Sequence, residues 1–305
     1  MPSAVAAFDC GSNSTRLLVA TPDGRALKRQ MHITRLSEGV DASGALTPAA
    51  MERTLVVLAD YRRTCDEYGV ERGLLVATSA VRDASNGADF VARAREVVGV
   101  ESRVLTGAEE AQLSFAGATA DLDDSGWPTM IVDVGGGSTE LAAELDGALF
   151  SYSMQLGCVR VTERALGRGV VTPERDAVTR SMVNGELDRA FAAVPAFESL
   201  AGAVRLVGLA GTVATLAQLD AGLTHYDREV VHHRELSLGT VEHWRDLLAR
   251  EPVDVRLAHP GMVPGREDVL AAGLYVLAAV MGRLRVDHLL TSENDILDGI
   301  VLSLG

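Results

Sequence analysis

One short pattern occurs twice in this chain of 305 residues, and it restricts the fold more than any other feature. The first copy is AFDCGSNSTRL at 7–17 and the second is IVDVGGGSTEL at 131–141, with a constant offset between the two aspartates (133 − 9 = 124). Each copy is an apolar run ending in Asp, a polar turn and a second apolar run, which predicts a strand, a tight turn and a returning strand. Single turns of this kind are common, but a match along the whole stretch favours a duplicated unit over coincidence.

The two turns predict pockets for anions. Small residues let an anion approach the backbone closely, and successive N–H groups in such a turn can converge on it. We predict phosphate contacts from the backbone and hydroxyl groups of both turns, namely Gly11, Ser12, Asn13, Ser14, Gly135, Gly136, Gly137, Ser138 and Thr139.

Carboxylates accompany the turns. Asp9 and Asp133 end the first strand of each copy, and Glu140 follows the second turn. These three residues are the candidate ligands of Mg²⁺ or another divalent cation, some of them through water, because Mg²⁺ keeps several waters in proteins. The alternative for Glu140 is a half-exposed strand residue, since Arg16 holds the equivalent position in the first copy.

Composition argues against several classes of protein. The net charge is 28 − 42 = −14, which disfavours nonspecific binding of nucleic acid or of an anionic membrane surface. Lys28 is the only lysine and lies in no glycine-rich loop, so a Walker-type P-loop is absent. Three scattered cysteines, no signal-peptide pattern and no apolar run long enough to span a bilayer predict a cytoplasmic protein.

The order of the predicted elements indicates two domains. Three strands, the third over 26–36, precede alternating helices and strands, and a polar stretch at 121–128 interrupts the periodicity before the strand pattern restarts. We therefore predict a first domain at 1–124 and a second at 125–292, with a C-terminal helix at about 293–305 packing back on the first. A duplicated meander of this kind predicts an α/β fold of two tandem ribonuclease H-like domains with an interdomain cleft.

Two adjacent glutamates open one predicted helix. Thr106 and Glu109 have the spacing of a capping box, which would turn Glu109 back to the helix start and leave Glu110 free to act as a base. The alternative is that both glutamates are solvated in the first turn, where they interact favourably with the helix dipole. The helix alone favours this alternative.

Seven segments taken together resemble one known family. They are FDCGSNSTRLLVA, ATSAVRDASNG, VLTGAEEAQLSFAGA, VDVGGGSTEL, LGCVRVTERAL, GLAGTVATLA and SENDILDGI. They run in order along nearly the whole chain and resemble the exopolyphosphatase and guanosine pentaphosphate phosphohydrolase family, within the superfamily of actin, sugar kinases and heat-shock chaperone ATPases. The chain stops without the extra C-terminal helical domain of longer members, so it resembles the short, two-domain branch.

The resemblance implies roles for individual residues. It assigns the water-activating glutamate to Glu110 and a phosphate-contacting arginine to Arg82, for which the alternative is a loop arginine paired with Asp83 or Asp89. It places the segment 208–212 on the adenosine side of the superfamily site, the alternative being a plain turn capped by Thr212. His232 and His233 have no partner at metal-binding spacing, which predicts a solvated loop.

The resemblance also implies a reaction. We expect metal-assisted, in-line attack of water on a terminal phosphate of inorganic polyphosphate, on guanosine pentaphosphate to give the tetraphosphate, or on both. Two alternatives stay open: a nucleotide-dependent phosphotransferase of the same superfamily, and a non-catalytic regulator that binds an alarmone or phosphate. Family members are often dimers, so a homodimer is a further expectation by analogy.

Overall fold

Each copy of the repeated pattern begins a separate sheet. The computed structural model describes residues 4–123 and 126–305, and the chain divides into two units, one running to Ala120 and including Asn294–Gly305, the other Asp121–Glu293. The boundary expected between 124 and 125 lies outside the described residues. Within the part of the chain that is described, no helix is both long and apolar enough to cross a lipid bilayer.

The first unit contains a mixed sheet. Its strands are β1 (Val5–Cys10), β2 (Ser14–Ala20), β3 (Ala26–Ile33), β4 (Arg72–Ala77) and β5 (Glu101–Val104). Their order is β3-β2-β1-β4-β5; β1, β2 and β3 are antiparallel neighbours, and β4 and β5 continue the sheet in parallel with β1. Its helices up to Ala120 are α1 (Val40–Ser43), α2 (Pro48–Glu67), α3 (Ser79–Asp83), α4 (Gly87–Val98) and α5 (Gly107–Thr119).

The second unit repeats this plan. Its strands are β6 (Thr129–Val134), β7 (Thr139–Leu145), β8 (Ala148–Met154), β9 (Arg205–Leu209), β10 (Glu235–Ser237) and β11 (His288–Thr291), in the order β10-β11-β9-β6-β7-β8. Its helices are α6 (Cys158–Val161), α7 (Pro173–Ala193), α8 (Ala210–Asp220), α9 (Arg228–Val231), α10 (Leu238–Arg250), α11 (Val253–Leu257) and α12 (Leu270–Leu284). Helix α6 continues as a π-helical turn (Thr162–Leu166), and a 3-10 turn spans Pro195–Leu200. The predicted α/β class with a repeated mixed sheet is confirmed.

Helices cover both faces of the first sheet. β1 is buried along its whole length, so it is apolar throughout except for Asp9. One core lies between the sheet and α2 and α4, and includes Phe8, Leu17, Leu58, Tyr61 and Phe90. On the other face, the last helix α13 (Ile296–Leu304) returns to this unit and buries Ile296, Leu297 and Ile300 against β1 and β2.

Local signals placed most elements correctly. Thr47 caps α2 as expected, since its side chain accepts a hydrogen bond from the amide of Ala50 at 3.2 Å. The third strand ends at Ile33 rather than at 36, because the amides of Thr34 and Arg35 leave the ladder and donate to the carbonyl of Asn13. Short elements such as α3 carry too few residues for a periodic signal.

Candidate active site

Both predicted anion turns are tight. The amide of Gly11 donates to the carbonyl of Ser14 at 3.0 Å, and the amide of Gly135 donates to that of Ser138 at 3.1 Å. A Cβ atom at either glycine would lie 3.1 Å from the same carbonyl oxygen. The first amide of each turn therefore closes the turn and is not a donor to an anion, contrary to our expectation. The later amides of each turn remain candidates.

A neighbouring loop fixes the orientation of the first turn. The carbonyl of Ser12 accepts from the amide of Ser37 at 3.0 Å, and that of Asn13 accepts from the amides of Thr34 and Arg35 at 3.1 and 2.9 Å. In a trans peptide the C=O and the following N–H point in opposite directions. The Asn13 amide therefore faces away from this loop, which is the orientation an anion pocket requires.

Helix α6 does the same for the second turn. The carbonyl of Gly135 accepts from Cys158, and that of Gly136 accepts from Val159 and Arg160, at 2.9–3.1 Å. The contact is so close that a Cβ atom on Gly157 would lie 2.3 Å from the Gly136 carbonyl carbon. These bonds orient the amides that follow away from α6, again as an anion pocket requires.

Asp9 is buried and pairs with an arginine through one of its two carboxylate oxygens. The Nε and Nη2 atoms of Arg16 donate to Asp9 Oδ2 at 2.9 and 2.7 Å, while Asp9 Oδ1 is buried and has no protein partner. Burial raises the pKa of Asp9 above its usual value, although Arg16 opposes the shift. One oxygen of this carboxylate is thus neutralised and the other is left for a ligand.

In the second unit two carboxylates are adjacent. Asp133 and Glu140 are paired across β6 and β7, where the first unit pairs Asp9 with Arg16. Glu140 is 1% exposed, and Ser153 Oγ donates to its Oε1 at 2.7 Å, so the alternative of a half-exposed strand residue is wrong. Hard carboxylate oxygens in this arrangement suit Mg²⁺ rather than a soft metal.

Glu109 and Glu110 separate as the capping-box argument predicts. Glu109 accepts from the Thr106 amide at 2.8 Å and the Thr106 hydroxyl accepts from the Glu109 amide at 3.2 Å, so the box is confirmed. The bond from the Thr106 amide is the main cause that lowers the pKa of Glu109, with further bonds from the Thr106 hydroxyl and Arg103. Glu110 is instead buried, which excludes the solvated alternative for this residue.

Arg82 links Glu110 to the first turn. Its Nη1 donates to Glu110 Oε2 at 3.2 Å and to the Leu105 carbonyl at 2.9 Å, so Glu110 rather than Asp83 or Asp89 is its acidic partner. Arg82 lies on α3, and Ser79 at the start of α3 bonds through Oγ to Ser12 Oγ at 3.0 Å. The candidate base, the arginine and the anion turn therefore form one connected group within the first unit.

Several buried polar atoms of the predicted site have no protein partner. Among the described residues they include Asp9 Oδ1, both amide atoms of Asn13, Arg82 Nη2 and Thr139 Oγ1. An unsatisfied buried polar group costs about 1–3 kcal/mol, so native structures rarely keep one without a role. The donors suit phosphate oxygens and the carboxylate oxygen suits a hydrated cation, so the residues present fit both ligands.

The segment 208–212 differs from its expected form. Helix α8 begins at Ala210, which has the left-handed φ of 66°, and its N-cap is Leu209. Thr212 does not cap the helix, because its hydroxyl donates to the Val134 carbonyl at 3.2 Å. The guanidinium of Arg266 covers Gly211, where a Cβ atom would lie 1.9 Å from it.

The two histidines are not in a solvated loop. His232 Nε2 lies 2.9 Å from Asp121, and His233 Nε2 lies 3.6 Å from the same carboxylate. The Glu293 amide donates to His232 Nδ1 at 3.0 Å, so the proton of a neutral imidazole is on Nε2 and faces Asp121. Burial lowers the pKa of His232 below its usual value. Sequence spacing missed this cluster because Asp121 is more than a hundred residues away along the chain.

The chain is similar to several known proteins along most of its length. Residues 19–304 match the model of the Ppx/GppA phosphatase family. The chain is 39% identical over 316 residues to exopolyphosphatase 2 of Mycobacterium tuberculosis, covering 98% of each. The solved structure of an exopolyphosphatase-like protein matches with a TM-score of 0.92 and 33% identity, covering 99% of this chain and 98% of that one. A Ppx/GppA family member from Aquifex aeolicus matches with a TM-score of 0.79 and 28% identity, covering 99% and 97%.

Proposed function

Because the chain belongs to the Ppx/GppA phosphatase family, we propose that it is a phosphohydrolase that releases terminal orthophosphate from inorganic polyphosphate. The observation that carries the proposal is the connected group of Glu110, Arg82, Ser79 and Ser12 in the first unit. Cleavage of a phosphoanhydride needs a positioned water, a group that takes its proton, and positive charge at the phosphoryl oxygens. This group supplies each of them.

The first unit supplies the base in this proposal. Glu110 orients the attacking water and accepts its proton, a role that typically contributes about 10²–10⁴-fold in rate. Arg82 keeps Glu110 in place through Nη1 and directs Nη2 at a phosphoryl oxygen, where charge develops as the bond to the leaving phosphate breaks. The later amides of the first turn and the side chain of Asn13 hold the phosphate chain.

The second unit supplies further donors and the cation ligands. The amides of Gly136 and Gly137 and the hydroxyls of Ser138 and Thr139 bind phosphate oxygens. Asp133 and Glu140 are the proposed ligands of a divalent cation in this unit, directly or through water, and Asp9 is the candidate ligand in the first unit. When bound, Mg²⁺ offsets negative charge on the phosphate oxygens.

The direct test is release of orthophosphate by the purified protein. We expect release from short-chain and long-chain polyphosphate in the presence of Mg²⁺, and its loss after addition of a chelator. Guanosine pentaphosphate, assayed in parallel, shows whether the alarmone is also a substrate. Absence of orthophosphate from all three compounds would contradict the proposal.

Two further assays, phosphate transfer from ATP and binding calorimetry, separate the alternatives. A phosphotransferase would move labelled phosphate from ATP to an organic acceptor and release little free phosphate. The covering of Gly211 by Arg266 disfavours a nucleotide on that segment. A regulator would bind polyphosphate or the alarmone in calorimetry without turnover. Either result would replace the hydrolase proposal.

A further inference from the structure

A group of buried charges connects Asp9 to the C-terminal helix of the first unit. Arg16 contacts Asp9 through Nε and Nη2, and its Nη1 donates to Asp295, the residue that caps α13. The side chains of Asp9 and Asp295 are only 5% and 8% exposed. One guanidinium therefore bridges two carboxylates that are far apart in sequence and shielded from solvent.

A second arginine extends the group. Arg29 donates to Asp298 and lies 3.5 Å from Asp295 Oδ1. Three carboxylates and two guanidiniums give this network a net charge of 2 − 3 = −1 when all are ionised. Burial acts to raise the pKa of Asp295, but Arg16 and Arg29 together lower it below its usual value, so this carboxylate is ionised at neutral pH.

The two carboxylate oxygens of Asp295 accept hydrogen bonds from different groups. Oδ1 accepts from the Leu297 amide at 2.9 Å and caps α13, while Oδ2 accepts from Arg16. The helix itself is held firmly, because Gly117 of α5 and Gly299 of α13 let the two backbones touch; a Cβ atom at either would lie 2.0 Å or less from a carbonyl oxygen of the other helix. Asp295 therefore has a fixed position at the start of α13, and its Oδ2 orients the guanidinium of Arg16.

We propose that Asp295 is a positioning residue for the reaction proposed above: it holds Arg16 against Oδ2 of Asp9, so that Oδ1 of Asp9 stays available to a divalent cation and the network keeps its negative charge. The inference rests on the proposed function. Without the Asp295 carboxylate the network charge rises from −1 to zero, and Nη1 of Arg16 loses its hydrogen bond to Asp295. A cation near Asp9 then binds less tightly.

The test is Asp295→Asn with Asp298→Asn as its matched control. Asparagine keeps the oxygen that caps α13 and removes the charge that faces Arg16. Asp298→Asn alters the same helix end and the pair with Arg29 but does not touch Arg16. For Asp295→Asn we expect the Mg²⁺ concentration for half-maximal rate to rise on the order of 10²-fold, the effect of removing one unit charge about 10 Å from a divalent cation at an effective dielectric of about 20.

Asp298→Asn raises the network charge by the same one unit, but we expect a smaller rise in the Mg²⁺ midpoint than for Asp295→Asn, since this carboxylate pairs with Arg29 and its loss leaves the contact between Asp295 and Arg16 in place. Titration calorimetry of Mg²⁺ into the substrate-free proteins should give the same ratio between variant and wild type for the Mg²⁺ dissociation constant as the rate assay gives for the half-maximal Mg²⁺ concentration. A purely structural role would lower the thermal stability of both variants equally and leave both Mg²⁺ midpoints unchanged.

Equal midpoints for Asp295→Asn and wild type, or equal shifts in both variants, would overturn the proposal. If wild type hydrolyses no phosphoanhydride, the proposed function fails, but the calorimetric comparison still decides whether Asp295 acts on cation affinity. Asp295→Ser, which keeps a capping oxygen and also removes the charge, serves where the asparagine variant does not fold.

Discussion

Replacement of Gly157 by alanine should damage the second anion turn without touching a proposed catalytic group. Gly157 has an extended backbone (φ −154°, ψ 163°) that alanine adopts without strain, so the effect of the change is steric. The new Cβ atom would lie 2.3 Å from the carbonyl carbon and oxygen of Gly136, whereas ordinary contact begins at 3.4 Å. Either α6 or the turn must therefore move by about 3.4 − 2.3 = 1.1 Å.

A displacement of this size has two measurable consequences. Misplacement of a binding group by about 1 Å can cost about 10²-fold in rate, so we expect kcat/KM for polyphosphate to fall by about that factor. Overpacking of this kind also lowers the free energy of unfolding by about 1–3 kcal/mol, which thermal denaturation reads out. Orthophosphate release under steady-state conditions measures the first effect.

Gly169→Ala is the matched control. A Cβ atom at Gly169 meets nothing within 4 Å, so this variant should keep the rate and the melting temperature of wild type. If Gly157→Ala retained kcat/KM within threefold of Gly169→Ala, the geometry of the second turn would not limit the reaction and the reasoning would be refuted.

Three further outcomes are expected. Arg82→Lys keeps a charge but loses the planar fork that contacts Glu110, and should lower kcat/KM by about 10² in the phosphate-release assay, with a circular dichroism spectrum like that of wild type. Gly299→Ala, whose Cβ atom would lie 2.0 Å from the Leu113 carbonyl, should lower the free energy of unfolding by about 1–3 kcal/mol, whereas Gly282→Ala, with nothing within 4 Å, should not. Burial lowers the pKa of His232, so the folded protein favours the neutral imidazole. The contribution of this preference to the free energy of unfolding is fully present above the ordinary imidazole pKa of 6.5, and it is lost as the pH falls through the lower pKa of the folded state. Wild type should therefore lose more thermal stability than His232→Asn between about pH 7.5 and about pH 5.5, and equal losses would contradict this assignment.

Local sequence signals predicted what depends on nearby residues. The two hairpins, the cap at Thr47 and the capping box at Thr106 follow from spacing alone, and the structure contains each of them. The separation of Glu109 from Glu110 follows from that box, since one carboxylate is used by the helix start and the other is left to pack inward.

Contacts between segments that are distant along the chain could not be predicted from the sequence. Nothing near Asp9 indicates that Arg16 neutralises one of its oxygens, or that Asp295 holds the arginine from the far end of the chain. The small residues of the first turn predict that the Gly11 amide binds an anion, yet this amide donates to the carbonyl of Ser14 at the start of the return strand. Thr212 has the residue type of a helix cap, but the neighbouring strand offers its hydroxyl a carbonyl instead.

The account depends most on Glu110 as the group that activates water, and a pair of isosteric variants tests this most directly. Glu110→Gln keeps the volume and a hydrogen-bond acceptor for Arg82 but cannot take a proton, while Glu109→Gln changes the adjacent capping carboxylate. With polyphosphate and Mg²⁺ at saturation, we predict that kcat falls by about 10²–10⁴ in Glu110→Gln and by no more than about threefold in Glu109→Gln. A Glu110→Gln protein that keeps more than half of the wild-type kcat, or equal losses in both variants, would contradict the central claim.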